Sequence, residues 1–578
     1  MEPISRPELA RPGDPDPETK RALKALWTIG GALVVALSVT YVVPQLAEYR
    51  PWIKGDPVPF AAFFAGKPLE AAAQAGISNE LLAEAAEAAA EDPSGDDGES
   101  DGPPMGDAPP LNDEPLPSEG PPGDEPAAEP GDEPAGEPAE PAVPGKPEPG
   151  EPTAPEGPAP EAPVPEPGEP APKPEPASAP KPLPVGESVS VTPDALAAEY
   201  KGITGELEMA GSLKPFFAAL DRTAHREAGA VTRITHYGAS EIGADGITSV
   251  VRRKLQAYFG SAGKGWVNVA PGWQWYKHKD VVYKTRGWSS RTVTSDDLNG
   301  KWGKSRYGFG GVAGLGWGGG AEASYKVWSD RLELFYLGYP KGGDVAVSVN
   351  GGPEEVFSTK ADAETDLTKV FRGTPGAENT FVVKSKGGGT AHVYGVTLET
   401  DGPGVVYDCI QLIGTRASRY LNFNEEHLKR QTELRKPDLQ VILYGGNELV
   451  DRDMALGPYE EKYEKVIRRM RAGAPDGACI VMSPQDHGEV ERGRVRTVPL
   501  LLKLIPIQRR IAEKVGCAFY DTLAAMGGEG TMGRWYNSKP RLAWGDYMHL
   551  TPAGDRVIGA MLYKALMKAY ADYRAAQP

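Results

Sequence analysis

The sequence predicts an α/β fold: a three-layer α/β/α domain on a parallel sheet, with an inserted antiparallel β-sandwich, preceded by one transmembrane helix and a disordered linker. Three observations predict it. Short apolar strands ending in glycine-rich turns alternate with helical patterns at both ends of the C-terminal part. Between them, apolar and polar residues alternate without a convincing helix. Before them, an uncharged apolar run precedes a long stretch rich in proline and glutamate.

The uncharged run Ala25–Leu46 has the length of a membrane span, which needs about 20 apolar residues. No clear A-x-A cleavage site follows it, so an uncleaved anchor is expected, with a cleavable signal peptide as the alternative. Five basic residues precede the run, against Arg50 and Lys54 beyond it; the five are Arg6, Arg11, Lys20, Arg21 and Lys24. This bias places the N-terminus in the cytoplasm and everything after residue 46 outside.

Residues 92–187 consist almost entirely of Pro, Glu, Ala, Gly and Asp, with near-repeats such as GDEPAAEPGDEPAGEP. Because such a segment has few large apolar side chains to bury, it is expected to be disordered and extended. At ~3.1 Å per residue it could reach at most about 300 Å. Much of the net charge of −18 lies here, and no basic stripe indicates nucleic-acid binding.

The patterns divide the chain into seven predicted segments. The first four are a cytoplasmic tail at 1–24, the transmembrane anchor at 25–46, a juxtamembrane segment at 47–91 and the linker at 92–187. The last three are the first part of the α/β domain at 188–264, the inserted sandwich at 265–400 and the second part of the α/β domain at 401–578. Three cysteines, Cys409, Cys479 and Cys517, are widely spaced with no CxxC pair. We expect them to be small buried core residues, without a zinc ribbon or a disulfide framework.

Within the α/β parts, VTRITHYGAS, LQVILYGGNE and ACIVMSPQD are predicted strands, and KLIPIQRRIAEKVG and GDRVIGAMLYKALMKAYADYR are predicted helices. Strands that alternate with helices indicate a parallel sheet covered on both faces. In the middle, DVAVSVNG, NTFVVKSK and AHVYGVTLE have the alternation of a half-buried antiparallel sheet. The GxGxxG match at 314–319 is followed by a strand-like segment, so a dinucleotide site is not expected.

The inserted segment is rich in tryptophan, which in a β-sandwich usually fills the core. Seven tryptophans are more than one small core holds, so a few are expected on the surface as platforms that stack on sugar rings. They are Trp266, Trp273, Trp275, Trp288, Trp302, Trp317 and Trp328.

Ser240 lies in HYGASEIGADG, where a predicted strand turns into a helix. A serine at such a turn commonly caps the helix. The same geometry suits a nucleophile, because free backbone N–H groups there can receive an oxyanion.

Two further loops contain residues with two interpretations. Asp546 and His549 form a D-x-x-H before a helix capped by Thr551. They fit either a surface loop or a base held by a carboxylate. Asn447 in LYGGNE fits either turn chemistry or an oxyanion donor. The remaining histidines are scattered, without HExxH or paired-carboxylate spacing, so no metal or other cofactor is expected.

The order GAS, GGNE and DYMH, with VVYDCIQLIGTRAS between the first two, resembles the SGNH (GDSL-like) hydrolase superfamily. Together with the insert, it resembles the two-domain peptidoglycan O-acetylesterases of that superfamily. The resemblance implies a catalytic triad of Ser240, Asp546 and His549. It also implies an oxyanion hole formed by Ser240, Gly414 and Asn447. Ala239 and Glu448 depart from the pattern, because the superfamily usually has aspartate at both positions.

The resemblance implies a serine esterase that removes O-acetyl groups from a cell-wall or envelope polysaccharide, with peptidoglycan as the expected polymer. With the predicted anchor, such a protein is expected in a bacterial inner membrane with its catalytic domain in the periplasm. The implied partners are an acetylated glycan and the membrane, and the oligomeric state stays open. Two rival interpretations remain: an O-acetyltransferase with the same triad, and a non-catalytic glycan-binding scaffold.

Overall fold

The computed structural model describes residues 190–294 and 306–577. The predicted tail, anchor, juxtamembrane segment and linker lie outside these residues. Across the described ranges, no helix is long and apolar enough to cross a membrane.

The first sheet has six strands in the order β1-β17-β14-β13-β2-β12. Neighbours pair in parallel, apart from the two-residue strand β1, which is antiparallel to β17. The mixed α/β class with a parallel sheet is therefore confirmed. The strands are β1 (Leu207–Glu208), β2 (Val231–Gly238), β12 (Gly404–Gln411), β13 (Leu439–Leu443), β14 (Ala478–Met482) and β17 (Ala518–Tyr520).

Nine helices accompany this sheet in the described ranges. They are α1 (Pro193–Glu199), α2 (Lys214–Ala224), α3 (Gly246–Phe259), α4 (Glu425–Arg435), α5 (Leu456–Arg471), α6 (Pro499–Val515), α7 (Thr522–Met526), α8 (Thr531–Tyr536) and α9 (Pro552–Ala575). Both predicted helices are present, as α6 and α9. A short hairpin, β15 (Gly488–Glu491) and β16 (Arg494–Thr497), follows β14.

The sheet is covered on both faces because successive residues of a strand point to opposite sides. In β13, Val441 belongs to a core shared with α2, α3 and α9. Its neighbour Ile442 belongs to a second core shared with α5 and α6. All five residues of β13 are buried, as is typical of a parallel strand between two helical layers.

A second, nine-stranded antiparallel sheet lies between α3 and β12 in sequence. Its strands are β3 (Gly263–Asn268), β4 (Val282–Arg286), β5 (Ser289–Thr292), β6 (Val312–Trp328), β7 (Arg331–Gly338), β8 (Asp344–Val349), β9 (Glu355–Ser358), β10 (Thr365–Arg372) and β11 (Glu378–Glu399). The GxGxxG match lies inside β6 and does not open a helix. The sheet surrounds a hydrophobic core of its own.

The tryptophans of this insert differ in exposure. Trp266 and Trp288 are buried in hydrophobic cores, whereas Trp317 on β6 is 50% exposed. Trp273, Trp275 and Trp328 are half-buried. Trp302 lies outside the described residues.

A buried ion-pair cluster joins the end of the insert to the parallel sheet. Arg435 on α4 donates to Asp408 on β12 at 2.7 Å and to Glu399 at the end of β11 at 2.5 Å. Asp408 also accepts the backbone N–H of Trp266 on β3 at 2.8 Å. An unpaired charge at these buried positions would be costly, so the ion pairs are kept together. The cluster therefore fixes β3 and β11, through which the chain leaves and re-enters the α/β layers, relative to β12.

The expectation that no cysteine forms a disulfide is wrong. Cys479 and Cys517 are disulfide-bonded, with 4.8 Å between their Cα atoms, while Cys409 is free and buried. The parallel pairing of β14 and β17 places Ile480 opposite Ala518, so the residue before each comes together. A separation of 38 residues along the chain gives no sign of this adjacency. All three cysteines are nevertheless buried, as expected.

Candidate active site

Ser240 lies at the carboxyl end of β2, where the chain turns sharply. A Cβ atom on Gly238 would stand 3.0 Å from Ile242 and 3.3 Å from the carbonyl oxygen of Leu443, so this close approach favours glycine. A 3-10 helix, Ser240–Asp245, begins at once and leads into α3. No side chain caps that helix. The hydroxyl of Ser240 therefore does not act as a helix cap.

Three of the predicted site residues are hydrogen-bonded in series. Nε2 of His549 lies 3.1 Å from Oγ of Ser240. Nδ1 of His549 lies 2.6 Å from Oδ2 of Asp546. The loop before α9 thus brings the imidazole to the serine across 309 residues of sequence.

The Asp546 carboxylate is held in place by its own loop. Its Oδ1 accepts the backbone N–H groups of Met548 and His549, both at 3.0 Å. Burial raises the pKa of Asp546, but the hydrogen bond and charge of His549, together with those backbone groups, lower it below its usual value. The carboxylate therefore stays ionised and fixes the imidazole with its Nδ1 proton directed at Asp546.

The two remaining predicted residues lie on neighbouring loops. Gly414 follows β12 with a φ of 71°, a left-handed conformation that suits glycine. Asn447 follows β13, and its Nδ2 donates to the carbonyl oxygen of Thr415 at 3.2 Å. This bond holds Asn447 against the Gly414 loop. Because the amide nitrogen has two hydrogens, one N–H remains for a ligand.

Glu448, which departs from the expected sequence pattern, also binds the Gly414 loop. Its Oε1 accepts the backbone N–H of Ala417 at 2.9 Å. Glu448 is 3% exposed, and burial, reinforced by the charge of Glu241, raises its pKa to about 7. The longer side chain thus connects the Asn447 segment to the Gly414 loop.

A buried network that sequence reasoning missed anchors the far end of the serine turn. Asp245 accepts from Arg252 on α3 at 2.9 Å and lies 3.3 Å from Nζ of Lys264 on β3. Burial by itself would raise the pKa of Asp245, but these two cations hold it well below its usual value. The network ties the turn to the inserted sheet. Its members are far apart in sequence and share no motif.

Asp245, His278 and Cys409 lie close enough together to suggest a metal site. Lys264 already occupies this place, with Nζ 3.3 Å from Asp245 and 3.3 Å from Nδ1 of His278. Burial raises the pKa of the Cys409 thiol, so it stays protonated. The residues form a buried ion-pair network, which does not fit a cation.

No known protein-family profile matches the chain. No curated protein matches it either. Among solved structures, a peptidoglycan O-acetylesterase matches with a TM-score of 0.53 and 19% identity, over 64% of this chain and 99% of the other. A family two carbohydrate esterase from Cellvibrio japonicus has a TM-score of 0.17 and 10% identity, over 41% of this chain and 85% of the other. A family two carbohydrate esterase with a carbohydrate-binding domain from Corynascus has a TM-score of 0.23 and 11% identity, over 44% and 95%.

The chain therefore shares the fold of the peptidoglycan O-acetylesterase. At 19% identity, the first similarity establishes a shared fold. It covers almost the whole of that esterase.

Proposed function

We propose that this protein is a serine esterase that removes O-acetyl groups from an envelope polysaccharide. The observation that carries the proposal is the hydrogen-bonded series Ser240–His549–Asp546 beside the Gly414 loop. A hydroxyl, an imidazole and a half-buried carboxylate in this order form an acyl-transfer site. The shared fold with a peptidoglycan O-acetylesterase supports the same reaction class.

In the first half of the reaction, Oγ of Ser240 attacks the acetyl carbonyl carbon. Nε2 of His549 takes the serine proton, and Asp546 stabilises the resulting imidazolium through Nδ1–H. Negative charge collects on the former carbonyl oxygen. The backbone N–H groups of Ser240 and Gly414 and the free N–H of Asn447 are the proposed donors to it. Collapse expels the sugar oxygen, which takes the proton from His549 and leaves an acetyl-serine.

In the second half, His549 removes a proton from a water molecule, which attacks the acetyl-serine carbonyl. The same donors stabilise the second tetrahedral intermediate. Its collapse releases acetate and returns the proton to Oγ of Ser240. Each half of the cycle uses His549 once as base and once as acid.

Peptidoglycan is the proposed polymer, and the inserted sheet is proposed to position it. The shared fold with a peptidoglycan O-acetylesterase and the exposed Trp317 on β6 support this. An indole that is 50% exposed offers surface on which a sugar ring can stack.

The catalytic domain is proposed to work outside the cytoplasm of a bacterium, tethered to the inner membrane by residues 25–46 and the linker. The Cys479–Cys517 disulfide supports this location, because disulfides persist in oxidising compartments. The charge bias around the apolar run supports the same orientation.

The proposal is tested by acetate release from O-acetylated peptidoglycan, using the purified full-length protein and its Ser240→Ala variant. Ser358→Ala, on exposed β9 of the insert, is the matched control. We expect Ser240→Ala to lose activity by at least about 10³-fold and Ser358→Ala to keep it. Equal rates for all three proteins would refute an esterase that uses Ser240. Transfer of the acetyl group to a soluble glycan acceptor, without release of free acetate, would identify a transferase.

A further inference from the structure

Gln485 lies in the buried segment that follows β14 and contacts the loop of the triad. The residue is 2% exposed. Its Nε2 donates to the backbone carbonyl oxygen of Met548 at 3.1 Å, although Met548 lies 63 residues further along the chain. Met548 immediately precedes His549. A buried glutamine therefore holds the triad loop at the residue before its base.

The peptide unit between Met548 and His549 is held at both of its polar groups. Its N–H, which belongs to His549, donates to Oδ1 of Asp546 at 3.0 Å. Its carbonyl oxygen, which belongs to Met548, accepts from Gln485. Because a peptide unit is planar and rigid, these two contacts fix its orientation. That orientation directs the imidazole, whose Nε2 lies 3.1 Å from Oγ of Ser240.

The triad loop has a conformation that its surroundings must maintain. Tyr547 has a φ of 55°, in the left-handed region that residues with a side chain seldom adopt. Such a conformation persists where neighbouring contacts determine it. The carbonyl oxygen of Tyr547 accepts the N–H of Gly488 at 2.7 Å, and that of His549 accepts the N–H of Trp544 at 2.9 Å. Gln485 holds the carbonyl group between these two.

The segment that contains Gln485 is itself anchored. The carbonyl oxygen of Gln485 accepts Nδ1–H of His487 at 3.0 Å. The next residue, Asp486, accepts the hydroxyl of Thr497 on β16 at 2.7 Å and the backbone N–H of Met532 on α8 at 2.8 Å. The amide of Gln485 thus acts from a support that is fixed on several sides, as precise positioning of a reacting group requires.

We propose that Gln485 is a positioning residue of the proposed esterase, whose amide holds the Met548–His549 peptide unit so that the imidazole meets Ser240. The inference rests on the proposed function, in which His549 serves as base and acid in both halves of the reaction. The amide acts on the backbone and brings no charge to the site. Its effect is geometric, and a displacement of about 1 Å can cost about 10²-fold in rate.

The test uses the purified full-length protein and its Gln485→Met variant, which keeps a side chain of similar length and removes the donor. We expect kcat for 4-nitrophenyl acetate to fall about 10- to 100-fold. KM should stay nearly unchanged, because His549 serves both formation and hydrolysis of the acetyl-serine and both steps slow together.

A second measurement needs no ester. A fluorophosphonate labels a reactive serine when Oγ displaces fluoride from phosphorus and the imidazole takes the serine proton. The rate of labelling at Ser240 therefore reports how well His549 is placed. We expect this rate to fall in Gln485→Met by about the same factor as kcat.

Gln440→Met is the matched control. Gln440 on β13 is 1% exposed, and its Nε2 donates to the carbonyl oxygen of Met470 on α5 at 2.9 Å. Both variants lose one buried bond from an amide to a carbonyl group, so urea unfolding should show similar losses of stability. Gln440→Met should nevertheless keep the wild-type kcat and labelling rate.

Gln485→Asn keeps the amide and withdraws it by one methylene. It should lower kcat and the labelling rate by less than Gln485→Met, again with KM unchanged. This variant keeps the test decisive if Gln485→Met does not fold. Wild-type kcat and labelling in the folded Gln485 variants would overturn the inference, and so would equal losses in Gln440→Met.

The two proposals fail in different ways. A wild-type protein that is labelled at Ser240 but releases no acetate from peptidoglycan refutes the proposed function, and slower labelling of the Gln485 variants then still supports the positioning role. Acetate release by the wild type, with no change of kcat or labelling in the Gln485 variants, refutes the role of Gln485 alone.

Discussion

The hydroxyl of Ser240 gains its proposed reactivity from side chains that are hundreds of residues away. His549 lies 3.1 Å from it, and Asp546 fixes the tautomer of that ring. Asp546 is itself fixed by two backbone N–H groups of its loop. Each side chain in the series therefore has its partner set before any substrate arrives, which is the condition for electrostatic preorganisation.

Asp546→Asn should lower kcat on the order of 10³- to 10⁴-fold with little change in overall stability. An amide at this position can donate to Nδ1, which leaves the imidazole proton on Nε2, where it prevents Nε2 from accepting the proton of Ser240. Hydrolysis of 4-nitrophenyl acetate measures the effect, and the exposed Asp476→Asn serves as control. Equal kcat values in the two variants would contradict the assigned role of Asp546.

Glu448 should make the stability of the protein depend on pH. Its pKa rises from 4.5 to about 7 on folding, chiefly through burial. The folded state thus binds the proton more tightly than the unfolded chain. Its contribution is complete below about pH 4.5, decreases as the pH rises towards 7 and is lost above that.

Glu448→Gln removes this titration. The free energy of unfolding of the variant relative to wild type should therefore increase by about 2.5 kcal/mol between about pH 5 and about pH 8. Urea unfolding at the two pH values measures it. A difference between the two proteins that does not change with pH would show that Glu448 does not hold a proton in the folded state.

At the scale of elements, the ends of the parallel strands assemble the site. The turns after β2, β12 and β13 contain Ser240, Gly414 and Asn447, and the loop before α9 adds the other two triad residues. Ligands of open parallel sheets bind at this edge, because the loops there diverge to different neighbours. At the opposite edge of the sheet, the Cys479–Cys517 disulfide cross-links the paired strands β14 and β17.

Replacing Cys479 and Cys517 together by serine should reduce the free energy of unfolding by roughly 3–4 kcal/mol. The closed loop spans 38 residues, and the bond restricts the unfolded chain. Urea unfolding with and without reductant measures the loss. The double variant is its own control, because reductant should destabilise the wild type and leave the variant unchanged. If reductant also destabilised the double variant, its effect on stability would come from a group other than this disulfide.

At the scale of the whole molecule, two buried ionic networks join the inserted sheet to the α/β layers. One surrounds Asp245 at the end of the serine turn, and the other surrounds Arg435 between the last insert strand and β12. The described α/β layers and insert cluster as one compact unit. The insert is therefore held in a fixed relation to the serine turn, as a surface that aligns a polymer requires.

Trp317→Ala should reduce the rate on insoluble acetylated peptidoglycan by about 2- to 10-fold and leave the hydrolysis of 4-nitrophenyl acetate unchanged. Loss of one aromatic stacking contact is worth ~0.5–1.5 kcal/mol. A small ester reaches Ser240 without the insert, so the ratio of the two rates isolates polymer binding. Val356→Ala, 53% exposed on β9, is the matched control. An equal loss on both substrates would show that Trp317 contributes to the folding of the domain and not to polymer binding.

Local pattern and order along the chain were sufficient for the class of fold and for the candidate triad. The 2.0 and 3.6 periodicities specify strands and helices because each depends on one face of one segment. Ser240, Asn447, Asp546 and His549 could be selected because each follows or precedes a recognisable element within a few residues. The sequence predicted that a few tryptophans are exposed, but it did not predict that Trp317 is one of them. Periodicity does not show which indole rings the neighbouring strands cover.

The tertiary structure determined the contacts between segments that are distant in the sequence. The Cys479–Cys517 bond depends on strand register, the Asp245 network depends on how the insert meets α3, and the raised pKa of Glu448 depends on its burial and on the charge of Glu241. These contacts couple residues through space, with energies set by burial and distance. Neither quantity is present in the sequence of a segment. The sequence determined which side chains could react, and the packing determined their partners and charges.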